Sequence, residues 1–101
     1  MAPDSTSIME AEDRDSHEAV DIFMDRYQSM NWTMAYVDRF DGLTLEGPGV
    51  AVHFRNCVCC YEGQGPIATR TILVAAGFGG EADIWPAISS QGVRRRRFTK
   101  A

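Results

Sequence analysis

The sequence predicts an α+β domain in which one amphipathic N-terminal helix packs on an antiparallel sheet of three or four strands. Two observations support this class. Apolar residues recur at helical spacing between Val20 and Met30, and from Trp32 to Phe54 apolar and polar residues alternate in short runs separated by turns. The 101 residues and the 45% hydrophobic content suit a single domain over residues 15–93, in which short helices follow the sheet, and then a basic tail over residues 94–101.

The first helix is predicted to begin near Asp15 or Ser16, since either side chain can serve as N-cap and accept a hydrogen bond from the first turn. Glu18 at the third helical position completes a start that resembles a capping box. Val20, Phe23 and Tyr27 then share one apolar face. Residues 1–14 are acidic and lack any periodicity, so they are expected to form a disordered lead-in.

The strand region is predicted from alternation and turn chemistry. Residues 32–40 are rich in aromatic and β-branched side chains, and Asp41-Gly42 is a strong hairpin signal because a type I′ turn needs positive φ. A return strand follows, and residues 50–54 alternate as a third strand. Residues 57–61 are expected to be either a fourth strand or an extension of the third.

Two further helices are expected beyond the strands. Residues 67–76 are apolar on all sides and would also suit a buried strand. Pro66 and Gly77 occupy favoured helix-start and helix-stop positions, so a buried helix is the preferred interpretation. Asp83 is expected to cap a short last helix.

Charge is distributed unevenly along the chain. The net charge is −4, yet residues 1–25 carry −7 and residues 94–101 carry +5 without any acid. The basic tail over 94–101 has three interpretations: a solvated end, a nucleic-acid contact, or a docking site for an acidic protein. The candidate partner-binding or anion-binding residues in it are Arg94, Arg95, Arg96 and Arg97.

A histidine and three cysteines are weak candidates for a metal or redox site. His53, Cys57, Cys59 and Cys60 supply suitable ligand types, but no CxxC spacing is present. On a continuous strand His53 and Cys59 would lie roughly 20 Å apart. The sequence therefore predicts buried, reduced cysteines, no cofactor and, because three cysteines make no closed disulfide framework, a cytoplasmic protein.

A glycine-containing loop offers a possible anion site. If a helix begins near Pro66, the loop with Gly63 and Gly65 directs backbone N–H groups outward, and Arg70 lies one turn further on. The loop lacks the longer glycine pattern and the lysine of nucleotide-binding loops, and an ordinary turn explains it equally well.

No arrangement of catalytic residues is evident, so an enzyme is the less favoured class. The sequence points to a small cytosolic protein-interaction module, a regulator or inhibitor of another protein such as bacteria and phages encode. The alternatives are a nucleic-acid-associated protein that uses the arginine tail and a Cys/His metal-binding or redox protein. No apolar run approaches the roughly 18 residues of a membrane helix, so no membrane association is expected.

Overall fold

The computed structural model of the chain describes residues 8–100, which form a five-stranded sheet covered on one face by helices. The α+β class is thereby confirmed. The first helix continues as a short π-helical segment over Phe23–Tyr27. The elements, in chain order, are β1 (Ile8–Glu10), α1 (Ser16–Ile22), β2 (Met34–Asp38), β3 (Gly42–Gly47), β4 (Val50–Phe54), α2 (Gln64–Ala75), α3 (Glu81–Ser89) and β5 (Arg95–Thr99).

The sheet is mixed, and its order is β1-β4-β3-β2-β5. The pairs formed by β2, β3, β4 and β5 are antiparallel, whereas β1 runs parallel to β4. The expectation of three or four antiparallel strands behind an N-terminal helix is therefore wrong in two details. The sheet gains a strand at each edge, and the first described element is a strand.

Strand β1 lies within the segment expected to be a disordered lead-in. Residues 8–10 pair with residues 51–53 of β4, which corrects the expectation for residues 1–14 over this part. Residues 1–7 lie outside the described residues. A parallel strand of three residues is too short to show alternation, and its partner lies more than forty residues away.

Strand β5 corrects the expectation of a basic tail over residues 94–101. Residues 95–99 pair antiparallel with β2, and Phe98 turns inward against the core. Arg96 also turns inward, where its Nε donates to the carbonyl of Ala87 at 2.9 Å. Consecutive arginines give no apolar alternation, so this strand is defined by its partner β2 and by Asp38 rather than by its own pattern.

The predicted start of the first helix is confirmed. The Asp15 carboxylate accepts a hydrogen bond from the Glu18 amide at 2.8 Å. At the other end, the helical segment stops at Tyr27, and its carbonyl accepts the indole N–H of Trp32 at 2.7 Å. This bond satisfies the polar atom of a fully buried tryptophan and fixes how the chain enters β2.

One hydrophobic core lies between the sheet and the three helices. Inward-facing side chains of β2, β3 and β4 meet Phe23 from the first helical segment, and the rings of Phe23 and Phe54 pack edge to face at 6.2 Å. Nothing in residues 8–100 covers the opposite sheet face, which we call the uncovered face. The largest side chains of the core are Trp32, Phe23, Phe54, Leu43, Leu45, Ile72, Leu73, Ile84 and Ile88.

Beyond β4 the chain leaves the sheet, so the expected strand over residues 57–61 is wrong. The outer edge of β4 is already occupied by β1, and residues 57–60 form an irregular loop that inserts into the core. The helix over 67–76 is confirmed as α2. The last helix begins three residues earlier than expected, with Gly80 rather than Asp83 at its N-cap.

Asp13 anchors the segment between β1 and α1 to the end of β4. Its carboxylate is fully buried and accepts the backbone N–H groups of Arg55 at 3.1 Å and Asn56 at 2.8 Å. Its backbone carbonyl accepts the Asn56 side-chain amide at 2.7 Å. One acidic side chain therefore satisfies two amides at the point where the chain turns away from the sheet.

Replacing Asp13 with alanine is expected to lower the free energy of unfolding by about 2–4 kcal/mol, because two buried amides lose their acceptor. Urea denaturation measures this difference. Asp21→Ala, which removes an exposed carboxylate from α1, serves as the control and is expected to change stability by no more than about 0.5 kcal/mol. Equal effects of the two substitutions would contradict the anchoring role.

Candidate functional site

The basic residues of the C-terminal segment line one edge of the sheet. We call this surface the arginine edge and define it as Arg39, Arg94, Arg95 and Arg97 together with Phe40. The guanidinium groups of Arg94 and Arg95 are more than half exposed, and Arg97 is exposed. Four of the nine arginines of the chain therefore meet at the junction of β2 and β5.

The outer side of β5 presents unpaired backbone groups. The amide of Arg39 donates to the Arg94 carbonyl at 2.8 Å, and the amide of Lys100 donates to the Thr33 carbonyl at 3.2 Å. Because hydrogen-bonded pairs alternate in an antiparallel ladder, the N–H and C=O groups of Arg95, Arg97 and Thr99 point away from β2. Within residues 8–100 no strand lies on that side.

Asp38 holds the arginine edge together. Its carboxylate lies 2.7 Å from Nε of Arg95 and 3.3 Å from Nε of Arg94, and it accepts the amides of Phe40 at 2.7 Å and Asp41 at 3.1 Å. Burial opposes ionisation of this carboxyl, which is only 7% exposed. The two amides and two guanidinium groups outweigh burial and lower the pKa of Asp38 to about 2.

Phe40 is an exposed aromatic ring set between two of these arginines. It is 69% exposed, and the guanidinium carbons of Arg94 and Arg39 lie 5.4 Å and 5.7 Å from its ring centroid. The turn that carries it is held by the Asp38 carboxylate. A fixed apolar ring surrounded by cations is a surface that suits binding rather than folding.

A cleft of about 470 Å³ lies on the uncovered sheet face beside the arginine edge. We call it the open-face cleft. Neighbouring strands place His53, Thr44, Tyr36 and Arg97 in one cross-strand row along it. Asp41 and Arg95 stand at its rim.

Both ring nitrogens of His53 face oxygen atoms. Nδ1 lies 2.9 Å from the Glu10 carboxylate, and Nε2 contacts the carbonyl of Asp41. His53 therefore ties β1 and the β2–β3 turn to β4, and neither ring nitrogen is open to a metal or substrate.

The cysteines lie on the other side of the sheet from His53. Cys57, Cys59 and Cys60 are buried in the core, so the proposed Cys/His group is not brought together. Among residues 8–100 no group of three or more His, Cys, Asp or Glu side chains is arranged to hold a metal ion.

The expectation that all three cysteines are reduced is wrong for two of them. Cys59 and Cys60 are joined in a disulfide between adjacent residues, where the loop turns under β2, and only Cys57 keeps a free thiol. Burial and the neighbouring Asp13 raise the pKa of the Cys57 thiol, so it stays protonated and is a poor nucleophile.

The structure also separates the residues of the proposed loop anion site. Gly63 caps α2, and Gly65 lies in its first turn, where a Cβ would come within 2.5 Å of Cγ2 of Val58. Gly65 is thus required by packing. Arg70 faces α3, with its Nε 3.9 Å from Glu81 and its guanidinium over the Trp85 ring at 5.1 Å.

The sequence singles out the arginines, whereas it favours a turn role for Asp38 and core packing over a binding surface for Phe40 and Tyr36. Asp38 and Phe40 lie beside the hairpin turn, and a position beside a turn predicts a surface location but no binding role. The alternation in β2 assigns Tyr36 to the uncovered face, but only the position of β5 shows that this face adjoins a basic edge.

The stability of the protein is expected to fall in acid because of Asp38. Its folded pKa of about 2 lies below the ordinary value of 3.8, so the ionised carboxylate contributes stability above pH 4 that is lost as the pH falls toward 2. Urea denaturation at several pH values measures this slope. Asp38→Asn should flatten it, whereas the exposed-site control Asp21→Asn should not. An unchanged slope in Asp38→Asn would contradict the assignment.

No helix within residues 8–100 has the length and apolarity needed to cross a membrane. The chain matches no protein-family model, and comparisons with curated proteins and with solved structures find no similar protein. Function is therefore inferred from the arginine edge and the open-face cleft.

Proposed function

We propose that this chain is a small, non-enzymatic, cytoplasmic interaction module that binds an acidic, extended segment of another protein and so regulates or inhibits it. The segment adds as a sixth strand along the outer side of β5. The observation that carries the proposal is the unpaired edge of β5, which presents arginine side chains and free backbone groups together.

Charge complementarity selects the partner. A segment paired with β5 would place alternate side chains on the uncovered sheet face beside Arg95 and Arg97, so carboxylates at those positions would form charge-assisted hydrogen bonds. A second copy of the same strand is disfavoured, because an antiparallel pairing of β5 with itself would bring like charges together. An extended segment with alternating acidic side chains supplies both the strand backbone that pairs with β5 and the negative charge that matches the arginines.

Phe40 supports the proposal as an apolar anchor next to this edge. Aromatic rings and arginines contribute most of the binding energy in protein interfaces, particularly where the ring becomes fully covered. Phe40 is exposed on its own but held in place by Asp38. It would lose most of its exposure under a partner that continues past the end of β5.

A nucleic-acid partner is the alternative that the arginines also suit. Against it, the uncovered sheet face also carries Glu10 and Glu46, Asp41 lines the cleft, and the whole chain has a pI near 5.0. Domains that bind nucleic acid usually carry a basic excess over a whole face. The metal or redox alternative loses support because His53 and the cysteines lie on opposite sides of the sheet.

A peptide of about eight alternating Glu and Val residues is a direct probe of this site. It is expected to shift the ¹⁵N–¹H resonances of β5 and Phe40 in a saturable manner that weakens with added salt. A peptide with Lys in place of Glu should not bind. Methylation of alternate peptide backbone nitrogens should abolish binding if the peptide adds as a strand.

Two substitutions at Arg97 separate charge from backbone pairing. Arg97→Gln removes the guanidinium and should weaken peptide binding several-fold, whereas Arg97→Pro also removes the outward N–H and should weaken it further. Both leave the ladder with β2 intact, and circular dichroism checks the fold. Equal binding by the two variants would contradict strand addition. Tighter binding of oligothymidine than of the acidic peptide would favour the nucleic-acid alternative.

A further inference from the structure

We infer that the open-face cleft is a binding site for a small planar carboxylate, beside the strand-addition edge, with which it shares Arg97. Its volume of about 470 Å³ falls within the range of roughly 300–1,000 Å³ that small-molecule sites occupy. The inference rests on the fixed walls of the cleft, the form of its floor and the groups left without partners.

The walls of the cleft are held in place by contacts outside it. His53 is fixed between Glu10 and the Asp41 carbonyl on one side. Arg95 is fixed on Asp38 at 2.7 Å on the other. A ligand entering between them would meet side chains that have already lost their rotational freedom, which lowers the entropic cost of binding.

The floor stays open because its residues are small. Gly42 has φ of +95°, and a Cβ there would lie 2.4 Å from the Phe54 carbonyl oxygen, so no side chain can occupy this position. Thr44 is the next floor residue along β3, and the larger Tyr36 and His53 stand on the strands at either side. The depression between them therefore follows from backbone geometry.

Three polar groups of the cleft have no partner within the described part of the chain. They are the Arg97 guanidinium and the hydroxyls of Tyr36 and Thr44. The strand spacing of about 4.8 Å places these residues across some 10 Å of the sheet, which matches a ligand of one or two fused rings. The Tyr36 ring is 38% exposed and offers an aromatic surface beside them.

The charges of the cleft specify a monoanion. Arg95 lies on the Asp38 carboxylate and Arg96 on the Ala87 carbonyl, which leaves Arg97 as the cation of the cleft without a contact in the described part of the chain. A carboxylate matches its forked donors, and a planar ring would lie over Tyr36. Asp41 at the opposite rim disfavours a second negative group on the same ligand.

Titration of ¹⁵N-labelled protein with 2-naphthoate tests the inference. Saturable shifts are expected at Tyr36, Thr44, His53 and Arg97, with a dissociation constant of about 1 mM or lower. The neutral isostere 2-naphthamide and the ringless anion acetate should each bind at least several-fold more weakly. No saturation by about 10 mM, or equal binding of the amide, would overturn the inference.

Three variants locate the site. Arg97→Gln should weaken naphthoate binding about ten-fold, and Thr44→Met, which fills the floor, should abolish it, whereas Arg26→Gln on the first helical segment should have no effect. Thr44 lies away from the outer side of β5, so the Thr44→Met variant should still bind the acidic peptide. Loss of naphthoate binding with retained peptide binding therefore tests the cleft separately from the strand-addition edge. Undiminished naphthoate binding by a folded Thr44→Met or by Arg97→Gln would overturn the assignment.

Discussion

The carboxylate of Asp38 is the interaction on which the functional end of the molecule depends. It receives two amides of the β2–β3 turn and two guanidinium groups from the start of β5, and in doing so joins a turn to an edge strand. A buried carboxylate without such partners would carry a large desolvation cost. Without the carboxylate, Arg94 and Arg95 would lose the ion pairs that hold the start of β5 against β2. The position of Phe40 and one wall of the open-face cleft follow from the same contact.

Local signals in the sequence were sufficient to predict the elements that are stabilised by residues close to one another in the chain. The Asp15 cap with Glu18, the β2–β3 hairpin and the helix α2 each depend on residues a few positions apart. The hairpin turn itself differs from the expected type I′ form, because Gly42 has a positive φ and Asp41 does not, and the loop spans residues 39–41. The edge strands β1 and β5 could not be predicted this way. Each depends on a partner distant in sequence, and neither carries an apolar alternation of its own.

The same distinction applies to the candidate sites. The four arginines were evident as a charge cluster, but their role changed from a tail to a strand once Asp38 was seen to bind Arg94 and Arg95. The residue types at positions 53, 57, 59 and 60 suggested a Cys/His group, yet the pleat of β4 directs His53 to the uncovered face while the following loop enters the core. Proximity in sequence therefore gave no guide to proximity in space.

Charge on an edge strand ordinarily protects a sheet against pairing with copies of itself. Here that protection and the proposed recognition have one physical basis. Arginine side chains that repel a second copy of β5 also attract an acidic strand, and the backbone groups of Arg95 and Arg97 stay available because nothing in residues 8–100 covers them. The sheet can therefore keep an open edge without self-association, provided that its partner supplies the opposite charge.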